Sequence, residues 1–120
     1  MDRCAARGCR AAVKRGDIYM VSLDPSQGRE QQGHRPVLIV SATEFNAVTK
    51  RPVVLPITSG GAVVRRIGFA VEIVGIKTSG VVRCDQPRLL DLIERHGRKV
   101  DELPPEILDE VLGKLLTLFA

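Results

Sequence analysis

Apolar and polar positions divide this chain into short β-like segments bounded by turn residues, followed by one long segment of helical period. Ile18-Tyr19-Met20-Val21-Ser22-Leu23 is rich in strand formers and stops at Asp24-Pro25-Ser26, a turn signal, which predicts a first strand. Gln27 to Arg35 contains no apolar residue and predicts a polar loop. Pro36 then opens Val37-Leu38-Ile39-Val40, an unbroken apolar run expected to be a central strand buried on both faces. Thr43 to Val48 suits a short helical turn, and Val53 to Ile57 a third strand, followed by the loop Thr58-Ser59-Gly60-Gly61. Ile67 to Ile73 alternates as a fourth strand, Gly75 to Gly80 is turn-forming, and Gly80 to Cys84 reads as a fifth strand. Residues 86–99 read as a short turn and then a further strand. Leu103-Pro104-Pro105-Glu106 places proline and an acidic group in a first helical turn, and Ile107, Leu108, Val111, Leu112, Leu115, Leu116 and Phe119 continue at helical spacing. That spacing predicts a helix packed on the sheet.

At 120 residues, with 44% hydrophobic and 27% charged content, the chain is expected to be one soluble domain. Residues 1–13 show no period and read as a flexible tail, leaving 14–120 as the domain. No apolar run approaches a membrane span, and the Arg-rich start lacks the apolar core of a secretory signal, so a cytoplasmic protein without membrane association is expected. Cys4, Cys9 and Cys84 are read as free thiols, with Cys84 on the core side of its strand. With only His34 and His96 besides, no zinc-ligand cluster can be assembled, and neither metal nor cofactor is expected. Charge is uneven. Residues 29–99 hold twelve Lys/Arg against six Asp/Glu, a net +6, and residues 100–120 one against five, a net −4. A basic middle suits a polyanionic partner, nucleic acid most simply. One Tyr and three Phe are too few for a stacking platform of the kind that reads single strands by aromatic side chains.

The stretch Gly80-Val81-Val82-Arg83-Cys84-Asp85-Gln86-Pro87-Arg88 sets charged groups into an otherwise buried strand. Alternation puts Arg83 and Asp85 on one face, ~6–7 Å apart along the strand, with Val82 and Cys84 on the other. A guanidinium is a forked donor to phosphate oxygens, and a neighbouring carboxylate can accept a proton. The same two residues would also make an ordinary ion pair.

Three motifs in order carry a resemblance to a known family: Gly28, Glu30, Gln31, Gln32, Gly33, Arg35 and Pro36; then Pro56, Thr58, Ser59, Gly60 and Gly61; then Gly80 to Arg88. From about Lys14 to Leu118 the chain closely resembles the PemK/MazF family, toxins of bacterial toxin-antitoxin modules, and within it the PemK (Kid) branch. The resemblance implies an α+β, mainly β fold, an SH3-like antiparallel barrel with a C-terminal helix. It implies a homodimer that cuts single-stranded RNA without a metal at short sequences containing U-A, leaving a 2′,3′-cyclic phosphate. It makes Arg83 and Asp85 the catalytic pair, with Arg35 and Thr58 functionally important, and lays Glu30, Ser59, Ile67, Phe69 and Ser79 along an RNA-contacting surface where a cognate antitoxin also sits. Arg29 stands where that branch has a catalytic histidine; it can stabilise charge there but cannot shuttle protons as imidazole does. His34 is expected to be a loop or capping residue. On this reading Asp85 is the base for the ribose 2′-OH, with Arg83 and Arg35 stabilising the phosphorane. The alternatives are a CcdB-type binder of DNA gyrase with the same fold, for which an Arg83, Asp85, Arg35 trio has no use, and a catalytically weakened toxin, suggested by Arg29.

Overall fold

The computed structural model describes residues 13–22, 34–58 and 68–119 of the chain. Seven strands lie within them: β1 Asp17–Ser22, β2 His34–Ile39, β3 Val53–Thr58, β4 Ala70–Ile73, β5 Gly80–Arg83, β6 Arg88–Leu89 and β7 Arg98–Glu102. Helix α1, Thr43–Thr49, joins β2 to β3, and α2, Pro105–Leu116, follows β7. All strand pairings are antiparallel, in the order β4-β5-β3-β2-β1-β7, with β6 also paired to β3. This is the expected α+β architecture, an antiparallel sheet with a C-terminal helix.

β3 joins the two parts of the sheet. Its first residues pair with β2 and β6, and its last two, Ile57 and Thr58, pair with Val82 and Val81 of β5. Side-chain alternation then sorts the core into two layers. Ile18, Leu38, Leu55, Ile57, Val82 and Cys84 face the interior, while Val21, Val37, Ile39 and Val54 face outward beneath Leu90 and Leu92. Val37 to Val40 is therefore buried on both sides, as its unbroken apolar run predicts.

Helix α2 closes the interior with Val111 and Leu115, each such fully buried aliphatic contributing ~1.5–3 kcal/mol. Its apolar stripe is wider than the face it buries, since Leu116 and Phe119 remain exposed despite their helical spacing. Lys114 Nζ donates to the Gly68 carbonyl at 3.1 Å, tying the helix to the approach to β4. The two ends of the strand order are linked by a side chain: Asp101 of β7 accepts from the Thr78 backbone N–H and from its hydroxyl, both at 3.0 Å. One carboxylate thus fastens the β4–β5 turn to the opposite edge. Buried Asn46 of α1 is satisfied in the same manner, donating to the Val13 and Ser41 carbonyls.

Residues 86–99 differ from expectation in detail. A two-residue strand, β6, precedes the turn, and Asp91 Oδ1 caps that turn by accepting the N–H groups of Ile93 and Glu94. β4 begins at Ala70; the expected start at Ile67 lies outside the described residues, as does the proposed tail apart from Val13, which packs against the outer apolar layer. No helix among the described residues is long and apolar enough to cross a membrane.

Candidate active site

The site is built on the outer face of the sheet. Directly opposed residues of an antiparallel pair share a face. Val37 lies opposite Pro56, Thr58 opposite Val81, Ala70 opposite Arg83, and Val54 opposite Arg88. Combined with alternation along each strand, these pairings put Arg35, Thr58, Arg83 and Arg88 on one surface. Glu72, opposite Val81, joins them at the β4 edge. His34 alternates away from Arg35, so the two neighbours in sequence serve opposite faces of β2.

Gly80 makes the close approach of β5 to β3 possible. It has φ +133°, and a Cβ there would stand 2.7 Å from the Thr58 carbonyl oxygen. β5 ends at Arg83, and the chain turns at Cys84 and Asp85, with the Gln86 N–H reaching the Arg83 carbonyl at 3.3 Å. That turn changes the geometry expected from an extended strand. Instead of standing apart to flank a phosphate, the two side chains meet: Arg83 Nε donates to Asp85 Oδ1 and Arg83 Nη2 to Oδ2, each at 3.1 Å. Cys84 between them points inward and is fully buried, as expected, and burial pushes its thiol up to about 11. It is therefore inert as a nucleophile at neutral pH.

The Arg83–Asp85 fork is about a quarter exposed, at 23% and 25% of the two side chains. Hydrogen bonds from Arg83 hold Asp85 below the usual carboxylate range, against a smaller effect of burial in the other direction. Asp85 is consequently ionised at neutral pH, and is a weak base for as long as the fork is intact. The fork uses two of the five Arg83 N–H groups, and a phosphate that draws those two to itself would take them from Asp85. As they left Asp85 its proton affinity would rise, which would couple anion binding to base strength through one guanidinium.

Arg35 begins this face at the exposed end of β2, and Thr58 ends β3 beside Gly80. Ser79 is exposed immediately before β5. Phe69 alternates to the other side of Ala70 and packs half-buried against the interior, while its carbonyl accepts the Cys84 N–H at 2.9 Å. Arg29, Glu30, Ser59 and Ile67 lie outside the described residues. No cluster of three or more His, Cys, Asp or Glu side chains suited to a metal occurs among the described residues.

Two cations on this face carried no assigned role in the sequence. Arg88 was legible as the last residue of the third motif; Arg95 gave no signal, because only the turn after β6 brings it back. The Arg95 guanidinium reaches the Ser22 carbonyl at 3.5 Å, and its own carbonyl accepts the Ser22 N–H at 3.0 Å.

Residues 14–119 match the family model for the PemK-like, MazF-like toxin of type II toxin-antitoxin systems. The chain belongs to this family. It is 54% identical over 111 residues to a protein named endoribonuclease PemK of Escherichia coli, covering 91% of this chain and 84% of that one. It is 37% identical over 109 residues to endoribonuclease toxin ChpB of Escherichia coli strain K12, covering 88% and 93%. Among solved structures, a MazE-MazF complex from Deinococcus radiodurans superposes with TM-score 0.79 at 33% identity, covering 90% of this chain and 96% of that one. The resemblance read from three short motifs thus extends to nearly the whole chain and to its fold.

Proposed function

We propose that the protein is the toxin of a type II toxin-antitoxin pair and acts as a sequence-specific endoribonuclease, cutting single-stranded RNA near U-A steps and so arresting translation and growth. The observation that carries this reading is the forked Arg83–Asp85 pair on an open, arginine-bearing face, in a chain whose relatives are named endoribonucleases.

The chemistry follows from the groups. A scissile phosphate takes over the Arg83 donors, and Asp85, released, accepts the proton of the adjacent ribose 2′-OH. The 2′-oxygen attacks phosphorus, the bond to the 5′-oxygen breaks, and the products are a 2′,3′-cyclic phosphate and a 5′-hydroxyl. Arg83 and Arg35 stabilise the doubly negative phosphorane. A guanidinium holds its own proton at neutral pH, so the departing 5′-oxygen is stabilised by an arginine and takes its proton from solvent. Arg29, which lies outside the described residues, would supply charge and not proton transfer in this scheme. None of these steps needs a metal.

Thr58 and Ser79, at the two sides of the close β3–β5 approach, support an RNA path along this face, with Glu30, Ser59 and Ile67 as its further proposed contacts; Phe69, expected there from the sequence, packs against the interior instead. The solved MazE-MazF complex of a relative supports a cognate antitoxin as partner, and the antitoxin's blocking of the RNA path and a homodimeric assembly in the cytoplasm belong to the same proposal. The gyrase-binding alternative gives the Arg83–Asp85 fork nothing to do.

The test is to incubate antitoxin-free protein with a long mRNA in EDTA and map the new ends. Cuts clustered at a short U-A-containing sequence, with cyclic phosphate termini, are expected. Intact RNA across a diverse pool would remove the proposal.

A further inference from the structure

Beside the fork, the same face carries a notch of which the cleavage chemistry uses one wall, Arg35, and leaves the rest unassigned. Arg35, Arg88 and Arg95 form its walls, and its floor is apolar, from half-buried Pro56 and the edges of Val37 and Leu90 over fully buried Val54. No carboxylate among the described residues lines it. The notch encloses about 70 Å³. Pockets for free small molecules run ~300–1,000 Å³, so this one is sized for part of a longer ligand. Its place in the sheet is fixed by pairing: Arg88 lies opposite Val54, four residues back along β3 from Thr58, a distance of ~13 Å at 3.3 Å per residue. A strand of RNA passing Thr58 and the Arg83–Asp85 fork and continuing along β3 would meet the notch next.

We propose that this notch is a subsite for one nucleotide flanking the cleaved step, with the edge of its base against Pro56 and the exposed rims of Val37 and Leu90, and its phosphate gripped by Arg88. The inference rests on the RNA-cleaving reading above and extends it, since it assigns Arg88 to binding rather than to the reaction. An apolar floor under forked donors matches the two halves of a nucleotide, a flat ring and a planar-sided anion. Arg88 is the wall best placed for the phosphate: it is exposed and makes no ion pair among the described residues, whereas Arg35 is assigned to the phosphorane and the Arg95 guanidinium is turned to the Ser22 carbonyl. The base edge would be held by shape and apolar contact, so the subsite favours the presence of a nucleotide more than its identity.

The test measures equilibrium binding by fluorescence anisotropy, using RNA made uncleavable by a 2′-deoxy sugar at the scissile step. A short core and the same core extended on both sides are compared. Wild type is expected to bind the extended RNA more tightly. Arg88→Ala should lose about tenfold on the extended RNA, the size of one charge-assisted phosphate contact, and with it the gain from extension. Its salt dependence should flatten by ~0.7 in log–log slope, one phosphate contact on a single strand. Arg88→Lys should keep the slope and lose part of the affinity. Arg98→Ala, which removes the same charge from the opposite face of the sheet, should bind as wild type does.

Wild type that binds both RNAs with Arg88→Ala indistinguishable from it would overturn the subsite alone. Wild type that binds neither would overturn the RNA reading and the subsite with it. If Arg88→Ala leaves RNA binding untouched but weakens binding of polyglutamate, the notch takes a protein carboxylate and the nucleotide assignment is wrong.

Discussion

Asp85 keeps its charge because Arg83 donates to both of its oxygens, and this has a consequence for pH. Its folded value is depressed, so the stability contributed by the pair is present above the unfolded value and is lost as pH falls through the folded one. For an aspartate the unfolded value is about 3.9, which puts the loss below about pH 4. A ¹³C titration of the Asp85 carboxyl should therefore show a midpoint below that value in wild type and a rise toward it in Arg83→Ala. In kinetics, the acid limb of kcat/KM reports the free protein and should lie at low pH. The limb of kcat, reporting the complex in which phosphate has drawn Arg83 away, should lie higher. Coincident limbs would contradict the exchange of Arg83 between carboxylate and phosphate. Cys84 offers a second test at this scale. With its thiol at about 11 and no exposure, the peptide carrying it should resist alkylation at pH 8 in the folded protein and react once urea unfolds it.

At the scale of elements, the approach of β5 to β3 depends on Gly80. Gly80→Ala forces a Cβ against the Thr58 carbonyl and holds alanine at φ +133°, so a loss of ~1–3 kcal/mol is expected from the urea midpoint, with RNA cleavage falling as Thr58 and Ser79 shift. An unchanged midpoint would mean that the strands separate without cost. The elements legible in the sequence were those whose own side chains decide the outcome: β1, β2, β3, β5 and the start of α2 all follow apolar pattern and turn chemistry. β6 and β7 follow partners instead. Arg88-Leu89 is a strand because β3 lies beside it, and Arg98–Glu102, almost wholly charged or exposed, is one because β1 does. The same limit applies to the site. Alternation placed Arg83 on the correct face, but the turn at Cys84 and Asp85 that folds the carboxylate back onto the guanidinium comes from the change of register between β5 and β6 along β3, which no local pattern announces. Leu116 and Phe119 show the reverse case, an apolar spacing that continues after the interior has been filled.

Across the whole molecule, the two ends of the strand order are held together by Asp101 and Thr78. Burial opposes the charge on Asp101, but the Thr78 N–H and hydroxyl outweigh it and hold the carboxyl below its usual range. Asp101→Ala removes both bonds and leaves the turn that carries Ser79 unfastened. A loss of ~1–3 kcal/mol is expected in denaturant unfolding, accompanied by a raised KM for RNA with kcat little changed. A normal KM would separate this fastening from the RNA path. The fold thus places one face, with its arginines and a single forked carboxylate, at the disposal of an anion, while the interior, α2 and the Asp101 link keep β5 fixed. The central claim is that this face cuts RNA by using the ribose's own hydroxyl. Its most direct test is a fluorophore-quencher DNA strand containing a single ribose before a U-A step, offered in EDTA to wild type, Arg83→Ala and Asp85→Ala, beside the same strand with no ribose. Wild type should cut only the ribose-containing strand and leave a 2′,3′-cyclic phosphate, and either variant should be slower by ~10²–10⁴-fold. Cleavage of the all-deoxy strand, or full activity in Asp85→Ala, would contradict the account.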